Sequence, residues 1–198
     1  MFIFNEELRH LHDDWLDGWE RGTARPPSHP DDLRSVVLYA HYCNYILWHL
    51  EDQARRTDVE DAYVAEIKRE IDKWNQRRND SVERVDEATL LETPDAAPGA
   101  ELHTETVGMM IDRLSILALK VYYMRRNTAR FGSPALASEC REKLRVLEGQ
   151  RDDLARGLAR FLDDLRCGRR YFKIYRQFKT YNDPRLNPAL AATDGSEQ

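Results

Sequence analysis

Tyr63, Ile67, Ile71, Trp74, Val82 and Val85 recur at spacings of three and four. That period lines one face of an α-helix, and such a face must be buried against another element. The position that completes the series is Arg78, inside "WNQRRNDSV" at 74–82. A permanent charge on an apolar stripe is costly unless it is paired. The chain must therefore pack helix on helix and bring a partner to Arg78.

The same reading extends along the chain. Phe4, Leu8, Leu11, Trp15 and Trp19 predict a first helix over about residues 4–20. "RGTARPPSHP" is a loop, and Asp31 and Asp32 suit the first turn of a second helix, where carboxylates face the positive end of the dipole. Its stripe is Val36, Ala40, Cys43, Leu47, Leu50 and Ala54, ending near Arg56. Thr57 and Glu60 predict a capping box for the third helix, which runs to about Glu87. A long connection rich in Pro, Gly and Thr follows. The fourth helix spans about Gly108–Arg130. Ser133 as N-cap and Pro134 at the first helical position open the fifth, which reaches about Cys167. No segment alternates every second residue with β-branched side chains, so the fold class is all-α. Residues 1–188 form a single helical domain, and 189–198 a disordered tail.

A shift of 73 residues carries the third-helix stripe onto the fifth, with Arg78 landing on Arg151. A shift of 74 carries the second helix onto the fourth: Val36 onto Met110, Ala40 onto Leu114, Cys43 onto Leu117, Leu47 onto Val121. Two repeated αα-hairpins forming a four-helix bundle are expected, with the first helix laid against it.

The composition excludes several classes. Of 198 residues, 41% are apolar, enough for one domain with a real core. The net charge of -5 makes the whole surface no nucleic-acid footprint. Cys43, Cys140 and Cys167 are too few for a disulfide framework, and no Cys/His spacing suggests zinc. "MFIFNEELRHLHDD" has no basic region before its apolar residues, so it is no signal peptide. No apolar run reaches the length of a membrane span, since Lys120 breaks "SILALKVYYM". A cytoplasmic protein is expected, with a homo-oligomer left open.

"NYILWHLEDQARR", "IDKWNQRRNDSVE", "GMMIDRLSILALKVYYM" and "GRRYFKIYRQFKTYNDPRLNP" together resemble the bacterial domain-of-unknown-function family 4254. The resemblance covers roughly residues 30–188. It implies an all-helical bacterial protein of this size and supplies no activity and no catalytic residues. An association with glycosyltransferase genes tilts the expected ligand toward sugar nucleotides or glycan precursors.

At 1.5 Å rise per residue, antiparallel hairpins put Arg78, Arg151 and Asp112 at one level, flanked by Asn75, Asn79, Arg113 and Asp152. One reading is an ion pair that fixes register. The other is a site, because two arginines over one aspartate leave positive charge for a phosphate to neutralise. The segment 169–181, "RRYFKIYRQFKTY", adds Arg169, Lys173 and Arg176 beside Tyr171, Tyr175 and Phe178 on one helical face. The candidate ligand residues are thus Arg78, Asn79, Asp112, Arg113, Arg151, Arg169, Lys173 and Tyr175, with no cofactor. Glu51 and Asp52 are expected to pair with Arg125 or Arg126. With Glu66 and Glu70 they are also the carboxylates of an alternative, a Mg-dependent all-α nucleotide phosphohydrolase. A third alternative is a scaffold docking a partner enzyme through the aromatic segment. His41 and its counterpart Ser115 show no Ser-His-Asp motif, so nucleophilic catalysis is not expected.

Overall fold

The computed structural model describes residues 5–27, 32–130, 132–176, 183 and 185–188. The tail at 189–198 lies outside them, as does Phe178. Five helices carry the fold: α1 Asn5–Glu20, α2 Leu33–Ala54, α3 Asp61–Glu92, α4 Val107–Arg130 and α5 Pro134–Arg166. A two-residue parallel bridge, β1 Glu101–Leu102 with β2 Arg170–Tyr171, is the one extended pairing among the described residues.

Helix boundaries follow their caps. Asp32 is the N-cap of α2 rather than part of its first turn. Its carboxylate accepts from the Ser35 N–H at 2.7 Å, while the Ser35 hydroxyl accepts from the Asp32 N–H at 3.0 Å. The box expected from Thr57 and Glu60 does not form: Glu60 is the N-cap of α3 without a side-chain bond. In that loop Arg56 and Asp58 make a bidentate pair instead. α3 continues a turn past Glu87 because its buried side reaches on through Val85 to Thr89. Ser133 caps α5 with Pro134 in its first turn, as the sequence predicts. Gly168, at φ +65°, sits in the left-handed region just after α5 and turns the chain out of it.

α2 packs on α3, and α4 on α5, as two antiparallel hairpins. α2 and α4 then lie side by side in the same direction, since His41 meets Ser115 and His49 meets Tyr123 two turns later. Both pairs are related by the 74-residue shift. The arrangement departs from a closed four-helix bundle at one place. α3 packs on α4, but no Cα of α5 comes within 8 Å of α2 or α3 among the described residues. α1 stands between α2 and α5 and touches both, together with α4. Leu8, Leu11 and Trp19 from α1 join Val36 and Val37, Val85, Met110 and Leu114, and Leu158, Phe161 and Leu165 in one core.

Arg78 and Arg151 therefore do not occupy equivalent places. Arg78 faces Asp112 on α4. Arg151, whose side chain is 6% exposed, pairs at 2.9 Å with Asp13 on the intervening α1. The rise arithmetic for the two hairpins gave α1 no level, so Asp13 could not be anticipated as the partner. The segment after α5 is extended, not helical, up to residue 176. Phe172 is buried in the core and Ile174 packs against it, while Lys173 and Tyr175 point outward with strand alternation. The expected helical face of Tyr171 and Tyr175 does not exist.

Breaking the Arg151 pair from its two ends should have unequal consequences. Asp13→Ala strands a buried guanidinium and is expected to cost about 3 kcal/mol. Arg151→Met removes the charge together with its unpartnered Nη2 and should stay within about 1 kcal/mol of the parent, as measured by urea unfolding.

Candidate functional site

A row of polar side chains crosses the interior where α1, α2, α4 and α3 meet. The His12 carbonyl can only accept, so His41 Nε2, 3.0 Å away, must donate to it. His41 Nδ1 then accepts from the Ser115 hydroxyl at 2.7 Å. Ser115 Oγ accepts from Asn44 Nδ2 at 3.0 Å, and the same amide donates to Asp112 at 2.8 Å. Asp112 Oδ1 lies 4.0 Å from Arg78 Nε. That direction at His41 Nδ1 is the one a neutral imidazole makes, and burial keeps His41 neutral. Burial pushes its pKa down to about 3, and Arg151 adds to the shift. His12, its ring 4.5 Å from His41 and tilted 39° to it, is lowered too, by burial first, then by His41 and Arg151.

The contact between His41 and Ser115 joins residues 74 positions apart, and reading each alone missed it. The repeat shift itself was the signal that pairs them. Both are buried and border none of the cavities described below, so the pair is placed to hold the hairpins together rather than to attack a substrate.

Five of the expected ligand residues, Arg78, Asn79, Asp112, Arg113 and Tyr175, line one cavity of about 260 Å³. The other three lie elsewhere. Arg151 is committed to Asp13, Arg169 pairs with Asp164 at 2.7 Å, and Lys173 is exposed. The same cavity also holds Glu83, Asp86 and Glu105. Four carboxylates thus meet two guanidiniums, with Arg113 already bound to Glu105 at 2.5 Å. The surplus of positive charge expected at this level is absent, because each arginine has its own acid.

Asp86 has a structural task in this wall. Its Oδ1 accepts from the Gly108 N–H at 2.7 Å, at the start of α4. α3 and α4 approach so closely here that a Cβ on Gly108 would lie 2.4 Å from the Val82 carbonyl oxygen. Burial raises the Asp86 pKa to about 6, against hydrogen bonds from Thr106 and Gly108 that lower it.

The carboxylates of the alternative metal reading do not assemble. Glu51 pairs with Arg55 at 3.0 Å and reaches Lys68 at 4.0 Å; Glu70 pairs with Lys73, and Glu66 is exposed. Among the described residues no group of three His, Cys, Asp or Glu side chains could hold a metal ion. The expected pairing of Glu51 or Asp52 with Arg125 or Arg126 is also corrected. Arg125 binds Glu148 at 2.8 Å, and Arg126 binds Glu20 on α1. For Arg126 the missing acid again came from α1, and for Arg125 it came from α5.

One wide cleft was not singled out by the sequence. It encloses about 650 Å³ between α4, α5 and the end of α2. Trp48 reaches over from α2 and stacks on Tyr123, rings 4.9 Å apart and 7° from parallel. Tyr123 is held from behind: its hydroxyl donates to Glu20 at 2.6 Å and contacts His49 Nε2 at 3.0 Å. Met124, Val146 and Leu147 supply apolar wall, and Asn127 and Gln150 supply amides. Val146 is 54% exposed, large for an aliphatic side chain on a helix. Lys120, Lys143 and Arg145 face one acid, Glu142. Lys143 pairs with Glu139, whereas Lys120 and Arg145 make no ion pair among the described residues. Across Trp48 lies a second cavity of about 370 Å³ between α2, α3 and α4.

Residues 34–174 match the family model described as a protein of unknown function, DUF4254. No curated protein and no solved structure matches the chain. No helix among the described residues is long and apolar enough to cross a membrane.

Asp86 gives the wall a pH signature. Unfolded, its carboxyl ionises near 3.8; folded, near 6. Between these values the folded state holds more protons, so this group's contribution to stability falls as pH rises, by up to about 3 kcal/mol. Asp86→Asn keeps an oxygen for Gly108. Its stability relative to the parent should rise across that window in unfolding curves taken from pH 4 to 7. A constant difference across the window would show that Asp86 does not titrate there.

Proposed function

Because the chain belongs to the DUF4254 family of proteins of unknown function, we propose its function from the cleft beside Trp48. It is a binding protein for a phosphate-bearing ligand that also carries a flat ring or a sugar, such as a sugar nucleotide. The observation that carries this reading is a pair of cations with no ion-pair partner among the described residues, Lys120 and Arg145, beside a stacked aromatic pair, with Lys143 already held by Glu139. Ammonium and guanidinium groups bind phosphate oxygens, and an aromatic face offers area for a base or sugar. The cleft's volume and mostly apolar wall suit a small-molecule site. The arginine layer around Arg78 is a poorer place for a phosphate, since its carboxylates outnumber its cations.

Binding is favoured over hydrolysis because the carboxylates of the metal reading are dispersed and the Ser115–His41 pair is sealed inside. Docking of a partner enzyme through the aromatic segment has less support. Phe172 and Ile174 are spent on the core, leaving Tyr175 as the exposed aromatic among residues 171–176.

A thermal-shift screen of nucleotides and sugar nucleotides, with and without Mg²⁺, followed by titration calorimetry, tests the reading. Lys120→Met should weaken the best anion by at least ~10-fold, the loss of one charge-assisted contact. Trp48→Ala should weaken it as well. Absence of any stabilising nucleotide would refute the proposal. So would loss of binding in Arg78→Met with Lys120→Met unchanged, which would return the site to the arginine layer.

A further inference from the structure

The cavity on the other side of Trp48 has a different chemistry. Asn44, Leu47, Trp48, Glu51, Asp52 and Arg55 come from α2, Asn75 and Arg78 from α3, and Ile116 and Leu119 from α4. Two carboxylates meet two guanidiniums, so the formal charges cancel. A charged ligand gains no net attraction here, unlike in the cleft beside Lys120. Hydrogen-bonding capacity, by contrast, is left over. Arg78 Nη1 has no hydrogen-bond partner among the described residues, and Asp112, 4.0 Å from Nε, is beyond hydrogen-bond reach. The side chains of Asp52 and Asn75 have no hydrogen-bond or ion-pair partner among the described residues. Asn44 spends both amide hydrogens on Asp112 and Ser115, which leaves its carbonyl oxygen as an acceptor.

The lining is therefore divided. Leu47, Ile116, Leu119 and Trp48 provide apolar surface, and Asn44, Asp52, Asn75 and Arg78 provide donors and acceptors in mixed order. A ligand that satisfies both needs C–H groups on its faces and hydroxyls around its rim. The volume of about 370 Å³ equals that of about a dozen liquid waters at ~30 Å³ each, room for one six-membered ring bearing hydroxyls.

We propose that this cavity binds a neutral, hydroxyl-rich ring, a monosaccharide or cyclitol, held by Asp52, Asn75 and Arg78 against Leu47, Ile116 and Leu119. Asp52 and Asn44 accept from ligand hydroxyls, Arg78 donates through Nη1, and Asn75 does either. The site does not depend on the phosphate reading, and its probes carry no phosphate.

The test is a titration of the full chain with glucose, galactose, mannose, N-acetylglucosamine and myo-inositol, followed by ¹H–¹⁵N correlation spectra. At least one probe should give saturable shifts at the amides of residues 44–52 and 75–78. Asp52 is exposed and Asn75 half-buried, so Asp52→Ala and Asn75→Ala should fold. Each should weaken that probe by at least ~10-fold, the loss of a charge-assisted or multiple hydrogen bond. The proposal is overturned if no neutral probe shifts these amides at ~10 mM, where a millimolar site is saturated. Shifts that survive both substitutions overturn it as well.

Discussion

The two hairpins of this protein are joined where the Ser115 hydroxyl donates to His41, both side chains buried. In such surroundings an unmade hydrogen bond is expensive, so the pair fixes how far α2 can slide along α4. Much follows from that register. Eight residues further along both helices, His49 meets the Tyr123 hydroxyl, and Trp48 comes to lie flat on the Tyr123 ring. Beside the contact, Asn44, one turn after His41, faces Asp112, one turn before Ser115, and Asp112 faces Arg78. The aromatic floor of one cavity and the polar wall of another are both set by a single serine–histidine contact.

The placement of α1 decides the electrostatics. By standing between α2 and α5 it brings Asp13 to Arg151 and Glu20 to Arg126 and Tyr123. Cations that would otherwise gather in one layer are neutralised one by one. Lys120 and Arg145, with no ion-pair partner among the described residues, line instead the cleft between α4 and α5. The chain's charge pattern thus separates a neutralised interior from a cationic cleft.

Helical periodicity made the five helices legible, because stripes such as Val36 to Ala54 state their buried side directly. The level of Arg78 with Asp112 was also legible, since a short loop fixes heights within each hairpin and an up-down-up-down arrangement makes the two sets of heights coincide. Arg151 was misplaced because an N-terminal helix behind a Pro-rich loop has no height that counting can supply. The segment after Cys167 was misread for another reason. Tyr171 and Tyr175 are spaced as in a helix, Phe172 and Ile174 as in a strand, and both patterns occupy the same residues. The core had room for the second pair, and Gly168 in the left-handed region turned the chain toward it. The cleft beside Trp48 was not legible because its wall is drawn from three helices, with each residue ordinary in its own stripe.

The short parallel bridge between Glu101–Leu102 and Arg170–Tyr171 has a consequence for the order of assembly. Its strands are 69 positions apart, with both helices of the second hairpin lying between them. Closing a loop of that length gains little until α4 and α5 have already folded back on each other and delivered Arg170 beside Glu101. The bridge is therefore a late event, laid down over finished helices. Phe172 follows it into the core beside Phe161, over which the His103 ring also stacks.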